Sequence, residues 1–437
     1  MFPTTAVLAG GACPSGRIRN LSPGRLGRRA WPILLALLTA CQSPPPPPVP
    51  SAPAGGAGDG HRPAPRAPKE QTMPTTSQAN ATLSPIPEPG IDLVAAPPWW
   101  LTRPDEIRRF LESLPGVAVE EIGRTAGGRP ILAAGIGPRE MLPGRTSASL
   151  SGAQASGNVS AFYGTGQRTC PVLMFLGAAH GTEFEGTVAA LNYLNIIATG
   201  KDLAGRDQPE MAARGRRLRF VVIPILNVDG RERAAHVRHW ININPAYFEM
   251  ITQGLDTDGR ITTWGDNKAF FPQPLDKRKI LGTYFNDAGV NLVYDFQLGP
   301  DMQPENAALI RFVRREMPDC VILSHSNAGS LVGGPSGLMP ESFRVRVLQM
   351  GAAVGLRCKR QGMARDRIPT GGDGTAFYQT DAIYHACGAL PVLVEFPEGW
   401  QNMPDNHQDI LDIGLTVIDE IANFGLEYGF RPAGRAR

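Results

Sequence analysis

The sequence predicts an α/β fold, with helices on both faces of a central sheet. Three observations lead there. Apolar runs at 172–177, 218–226, 321–323 and 392–394 have the length and composition of buried strands. Apolar residues recur at helical spacing over 183–197, 304–316, 342–358 and 408–424. Buried strands interleaved with helices require both sheet faces to be covered. The strand runs also end in residues that carry chemistry. His180 and Glu183 follow the first, Ser324-His325-Ser326 ends the third, and Glu395 sits inside the fourth. Open α/β sheets commonly place ligand sites at such corners.

The elements are justified in chain order. Arg25, Arg28 and Arg29 precede a short apolar run at 30–38, which ends in Leu38-Thr39-Ala40-Cys41. That is the layout of an export signal, with a run too short to cross a membrane as a helix. The last four residues resemble a bacterial lipobox, whose cysteine becomes the lipidated first residue. Residues 1–40 are therefore expected to be a lipoprotein signal, with Cys41 anchoring the exported protein to a membrane. Residues 41–96 are rich in Pro, Ala, Gly and Ser and open with the run Pro44 to Pro48. Such a composition cannot bury a core and reads as a disordered tether.

Folded sequence is expected from 97 to 437. Ile107, Phe110, Leu111 and Leu114 form one helical stripe. Runs at 117–122 and 130–136 read as two strands joined by a turn at Gly127-Gly128. The Gly/Ser-rich stretch 141–169 reads as a surface loop. The long segment 235–281 is rich in Asp, Gly and aromatics, and is expected to be a functional loop wall.

Composition sets outer bounds. Lys and Arg number 43 against 40 Asp and Glu, a formal net charge of +3, so nothing points to nucleic acid as a partner. Of six cysteines, Cys170, Cys320, Cys358 and Cys387 fall in the folded part. In an exported domain they allow one or two disulfides, with free buried thiols the alternative. None has CxxC spacing, which argues against a cysteine metal site.

The histidines are few enough to sort. There are seven: His61, His180, His236, His239, His325, His385 and His407. His180 and Glu183 are three apart at a strand-to-helix corner, and His325 ends another strand. Together they supply the three protein ligands of a catalytic zinc, one ion per chain, with a fourth position open. Glu395 lies in an apolar strand, where a carboxylate needs a reason to be buried. It is the candidate general base that takes a proton from water and passes it to a leaving amine. His236 and His239 read as surface or pocket-wall residues.

On these residues the chain resembles the zinc carboxypeptidase family. The run 121–131 resembles that family's N-terminal strand pair, and His180-Gly-Thr-Glu183 its HxxE ligand pair. Pro224-Ile-Leu-Asn-Val-Asp-Gly230 resembles its P-x-x-N-P-D-G turn. Ser324-His325-Ser326 matches the third-ligand segment, and Val394-Glu395-Phe396 the strand of the general base. The resemblance implies a single domain with a mixed, mostly parallel sheet, zinc, and a peptide or amide substrate. It also exposes departures. The family string G-V-D-L-N-R-N-F, whose Asn-Arg pair grips a substrate carboxylate, aligns with 289–296, where Val293 and Tyr294 replace the pair. Arg238 is the candidate for the family's second, substrate-binding arginine. The mobile tyrosine has no match; Arg367 lies in that stretch, and Tyr378 is a substitute from the other side.

The expected activity is metal-assisted cleavage of a peptide or amide bond, with cell-wall peptides suggested by export alone. Two rivals stand beside it. One is an aspartoacylase-type deacylase of N-acyl amino acids, disfavoured by the lipobox. The other is a zinc-containing binding protein without turnover, disfavoured by Glu395.

Overall fold

The computed structural model describes residues 83–88 and 95–431, apart from 141–149, 159, 164–167, 242, 270–271, 297–301, 327–331, 334, 364–376 and 400–405. The signal segment, Cys41 and most of the tether lie outside the described residues. So does Arg367.

Strands β1 (Ala118–Arg124), β2 (Pro130–Ile136), β3 (Val172–Leu176), β4 (Arg219–Ile223), β7 (Cys320–Ser326) and β8 (Leu390–Phe396) form one sheet in the order β1-β2-β4-β3-β7-β8. The expected hairpin is there. β1 and β2 pair antiparallel, and Gly128 takes φ 79°, a left-handed turn conformation that favours glycine. β4, β3, β7 and β8 are mutually parallel, and β2 joins β4 antiparallel. The expected mixed, mostly parallel sheet is the one observed. Every residue of β3, β4 and β7 is buried, so both faces of the sheet centre are covered.

The helices supply that cover. They are α1 (Pro104–Ser113), α2 (Glu185–Thr199), α3 (Pro245–Gln253), α4 (Pro304–Glu316), α5 (Glu341–Arg360), α6 (Gln379–Cys387) and α7 (His407–Tyr428), with shorter helices between. α2 is buried from Glu185 to Ile197, because α7 packs along it on the side away from the strands. Gly186 lets α2 sit close on strands β7 and β8, and Gly414 lets α7 sit close on α2. A Cβ on Gly186 would strike Ser324 and Phe396, and one on Gly414 would strike Ala189.

Topology places the site. From β3 the chain crosses to β4 on one side, then returns to β7 on the other. The crevice beyond the carboxyl ends of β3 and β7 is therefore a topological switch point, the usual ligand position in open α/β sheets.

Three expectations change. The segment 235–281 is not an irregular loop. It folds into α3, a short helix Trp264–Ala269, and a two-stranded sheet of β5 (Gly254–Asp256) and β6 (Arg278–Leu281). Its aromatics bury a second core around Trp240 and Ile251, which is why a polar-looking segment is ordered. The stretch 141–169 contains the short helices Leu150–Ala155 and Ser160–Tyr163. Cys170, Cys320, Cys358 and Cys387 are all buried, and none of them forms a disulfide among the described residues.

The start of the folded part also moves. Ser84 donates its backbone N–H to Lys279 O at 2.8 Å, on the edge of β6. Ile86 is buried in the second core beside Trp100, Leu83 packs beside Tyr284 and Phe285, and Pro87 O accepts from Tyr247. The final part of the tether is thus strapped to the domain, ahead of position 97. A chain starting at 97 should melt below one starting at 80 in a calorimetric scan. Burying an isoleucine contributes about 2 kcal/mol, which in a domain of this size is a shift of about 3 °C. Equal melting temperatures would mean the strap contributes nothing.

Candidate metal centre

The ligand loop begins with strained backbone. Just past β3, Ala178 takes φ 45°, a left-handed conformation that costs a non-glycine residue about 1 kcal/mol. The turn aims His180 and Glu183 back over the strand ends, and α2 starts only at Glu185. The pair therefore sits in the loop before the helix, not in its first turn. Gly181 is required there, since a Cβ would collide with the backbone of Gly230 and Arg231.

Several groups hold this loop. Gly181 N–H donates to Thr283 O at 3.0 Å, and the hydroxyls of Thr182 and Thr283 lie 2.7 Å apart. Trp240 Nε1 donates to Thr182 O at 3.0 Å. The 224–230 turn is its foundation. Asn227 Oδ1 accepts from Gly230 N–H, and Asn227 Nδ2 donates to Thr283 O. Arg231, fully buried, donates to the carbonyls of Gly181, Ala234 and Val237.

His180, Glu183 and His325 converge as expected. Their ligand atoms all lie within 4.8 Å of one another, and all three residues are buried. His180 Nδ1 is 2.9 Å from Glu183 Oε1, and His325 Nδ1 is 2.8 Å from Glu183 Oε2. Burial pushes the Glu183 carboxyl up, but the two imidazoles override it and hold it well below the usual carboxylate range. Burial likewise lowers His325, and Glu183 overrides it, raising the imidazole to about 9. Two neutral imidazoles and one carboxylate form the donor set that zinc accepts with a position left open. The orientation of His180 suits this. Its Nε2 is 3.2 Å from Asn291 Oδ1, a carbonyl oxygen that can only accept. Nδ1 faces an acceptor too, the Glu183 carboxylate; with an ion held at Nδ1, Nε2 would keep its proton for Asn291. The residues fit a zinc ion.

Glu395 also arrives where expected. β7 and β8 pair in register, His325 directly beside Glu395. Both line a cavity of about 500 Å³ together with His180 and Glu183. Glu395 is half-buried, and burial raises its carboxyl to about 7, against the opposing pull of His325. A carboxyl poised there can take up and release a proton near neutrality.

Arg238 is not brought to this site. It is absent from the cavity lining; its guanidinium bonds Trp100 O at 3.0 Å and Glu106 at 3.2 Å on α1. In this position it links the 235–240 segment to the start of the domain, and the cavity lining among the described residues does not include it. The enlarged loop after the 224–230 turn carries it away. His236, His239 and His385 do not line the cavity either. Val293, Tyr294 and Tyr378 do.

Other lining residues were not legible in the sequence. Tyr284 stacks flat on His180, centroids 3.8 Å apart and planes 2° from parallel, and burial together with the nearby Glu183 charge holds its hydroxyl proton firmly. The phenol thus steadies the His180 ring. Trp264 lies 5.7 Å from Tyr284 and 6.3 Å from Tyr294, which in turn is 5.3 Å from Tyr378. The wall is aromatic, with Glu249, Gln253 and Gln379 among it. No lysine or arginine lines the cavity among the described residues. Only Asn291 left a signal, as the amide in the aligned family string where aspartate is usual.

Fold and site together define an α/β domain with a two-histidine, one-carboxylate candidate metal site at its switch point. The zinc carboxypeptidase family model matches residues 106–332, just over half of the chain, and the chain belongs to that family. The matched stretch contains His180, Glu183 and His325 and stops before Glu395. Among solved structures, a metallo-carboxypeptidase from Burkholderia cenocepacia is similar at 15% identity, covering 73% of this chain and 68% of its own, with a TM-score of 0.44. A carboxypeptidase A from Helicoverpa armigera is similar at 14% identity, covering 74% and 72%, with a TM-score of 0.43. Bovine thrombin-activatable fibrinolysis inhibitor is similar at 14% identity, covering 75% and 99%, with a TM-score of 0.46. No curated protein matches the sequence.

Proposed function

We propose that this protein is a zinc-dependent hydrolase of a peptide or amide bond, anchored through Cys41 and facing outward from a membrane. The observation that carries the reading is Glu395, in register beside His325 on the cavity wall, with its carboxyl raised to about 7. A binding protein without turnover has no use for a base held there.

His180, Glu183 and His325 would hold the ion. When bound, zinc supplies Lewis-acid polarisation of a carbonyl and activation of water. The chain's own residues do the rest. Glu395 accepts a proton from water as the water oxygen bonds to the scissile carbonyl carbon. It then delivers that proton to the leaving nitrogen as the C–N bond breaks, so both the proton and the electron pair end on the amine. Asn291 and Tyr284 keep the His180 ring in place throughout.

Substrate choice follows from what replaced the Asn-Arg pair. Val293 offers no polar side chain, and a phenol does not reproduce a bidentate guanidinium. Arg238 is engaged elsewhere, by Glu106. A free C-terminal carboxylate therefore meets no cation among the described lining residues. The zinc-loaded protein should hydrolyse N-acylated peptides, with C-terminally amidated substrates cleaved at least as fast as the matched free acids. Chelation should stop both. Strong preference for the free acid would mean a cation outside the described residues, such as Arg367, has taken the arginine's place. An inert wild type on peptide and N-acyl substrates alike would return the protein to the binding class. Cell-wall peptides are a natural panel for an exported protein.

A further inference from the structure

The cavity contains one polar side chain that the reaction does not use and the fold does not satisfy. Gln379 is 1% exposed and lines the cavity, yet neither its Nε2 nor its Oε1 has a hydrogen-bond partner among the described residues. Buried amides are nearly always paired, and leaving one orphaned costs stability. The residue is not loosely placed. It is the first residue of α6, and its backbone N–H donates to Val293 O at 3.2 Å. Asp381 accepts from Tyr378 N–H at 3.0 Å and from the Ser336 hydroxyl, fixing the start of the helix. Its chain neighbours Tyr378 and Thr380 also face the cavity.

The chemistry of the orphan selects its partner. A carboxamide presents two donors and an acceptor side by side. A carboxylate would satisfy Nε2 and oppose Oε1. An ammonium would satisfy Oε1 and oppose Nε2. Another amide satisfies both at once, its carbonyl accepting from Nε2 and its N–H donating to Oε1. The surroundings agree, since Glu249 and Glu395 disfavour an anion and Val293 sits where a carboxylate-gripping residue is usual.

We propose that Gln379 is a specificity-determining residue that pairs with a neutral amide of the substrate, so that the cavity takes a peptide continuing past the scissile bond or ending in a carboxamide. This rests on the amide-hydrolase reading of the same cavity and names the substrate class within it. The orphan is stability given up for recognition.

The test separates binding from turnover. Zinc-loaded Glu395→Gln protein is titrated calorimetrically with one N-acetyl tripeptide in three forms: C-terminal amide, methyl ester and free acid. The amide should bind about 10–100-fold tighter than the other two, the loss expected when a buried partner goes unpaired. Gln379→Met, of similar length but apolar, should erase that preference by weakening the amide about 10–100-fold. Its melting temperature should be unchanged or higher, since the orphan is gone. Gln379→Glu, which keeps the shape and loses the donors, should weaken the amide at least tenfold as well. Undiminished amide binding in either variant overturns the proposal, and so does a preference for the free acid or failure to bind the amide in the parent. If the amide binds as described but protein with Glu395 intact does not cleave it, the hydrolase reading fails and the recognition role stands.

Discussion

Glu395→Gln should retain its zinc and its melting temperature and lose about 10²–10⁴-fold or more in kcat, the range that general acid–base catalysis contributes. The amide keeps the size and shape of the side chain and cannot accept a proton from water. It sits on β8, the last strand of the sheet, whose backbone bonds to β7 do not involve the side chain. The pH profile provides a second reading of the same residue. Burial raises the Glu395 carboxyl to about 7 in the metal-free protein. A bound cation favours the ionised form and moves the transition down. The active base therefore appears as pH rises, and the acidic limb of kcat/KM should fall below pH 7. In Glu395→Gln that limb should vanish along with the rate. Unchanged turnover in this variant would defeat the mechanism.

The second large effect is on the metal itself. His180→Ala or His325→Ala should reduce zinc from one ion per chain to none by elemental analysis after dialysis, because the two donors left are one short of the three that a catalytic zinc site uses. Full retention in both variants would sink the ligand assignment. Uptake should also depend on pH in a stated direction. His325 is raised to about 9 by Glu183, against the lowering effect of its own burial. Below that pH it carries a proton the metal must displace, so zinc affinity should rise with pH up to about 9, with a proton released on binding. The metal-free protein runs the other way. A folded pKa raised above the ordinary 6.5 stabilises fully below pH 6.5 and loses that contribution as pH rises through about 9. Glu183, held low by the imidazoles in spite of burial, stabilises above its ordinary 4.5 and loses that as pH falls. Metal-free protein should therefore lose the help of this pair at both ends, and at the alkaline end zinc-loaded protein gains most.

Much of this is legible in the sequence. Strand runs, the helical spacing after Glu183, and the hairpin at Gly127-Gly128 are local patterns, and local patterns survive folding. His180, Glu183, His325 and Glu395 were legible for a related reason. Each is a polar group at or within an apolar strand, where the cost of burial marks it out. The segment 235–281 was misread because its order comes from a second core assembled with Trp99, Trp100 and Ile86, and no period within the segment announces partners so far away. The same distance hid the strap at 83–88.

The sequence by itself determined the strand and helix periods, and with them an α/β sheet whose strand ends carry two histidines and two glutamates. Period and polarity act over a few residues, so one chain suffices to read them. The tertiary structure alone decided which side chains meet. It set His325 beside Glu395 through the register of two strands, and laid Tyr284 on His180 across a separation of about a hundred residues. It gave Arg238 to Glu106 and left Gln379 buried without a partner. Those outcomes depend on packing between distant segments, where a hydrogen bond or a ring contact is won or lost by an ångström that no local pattern specifies.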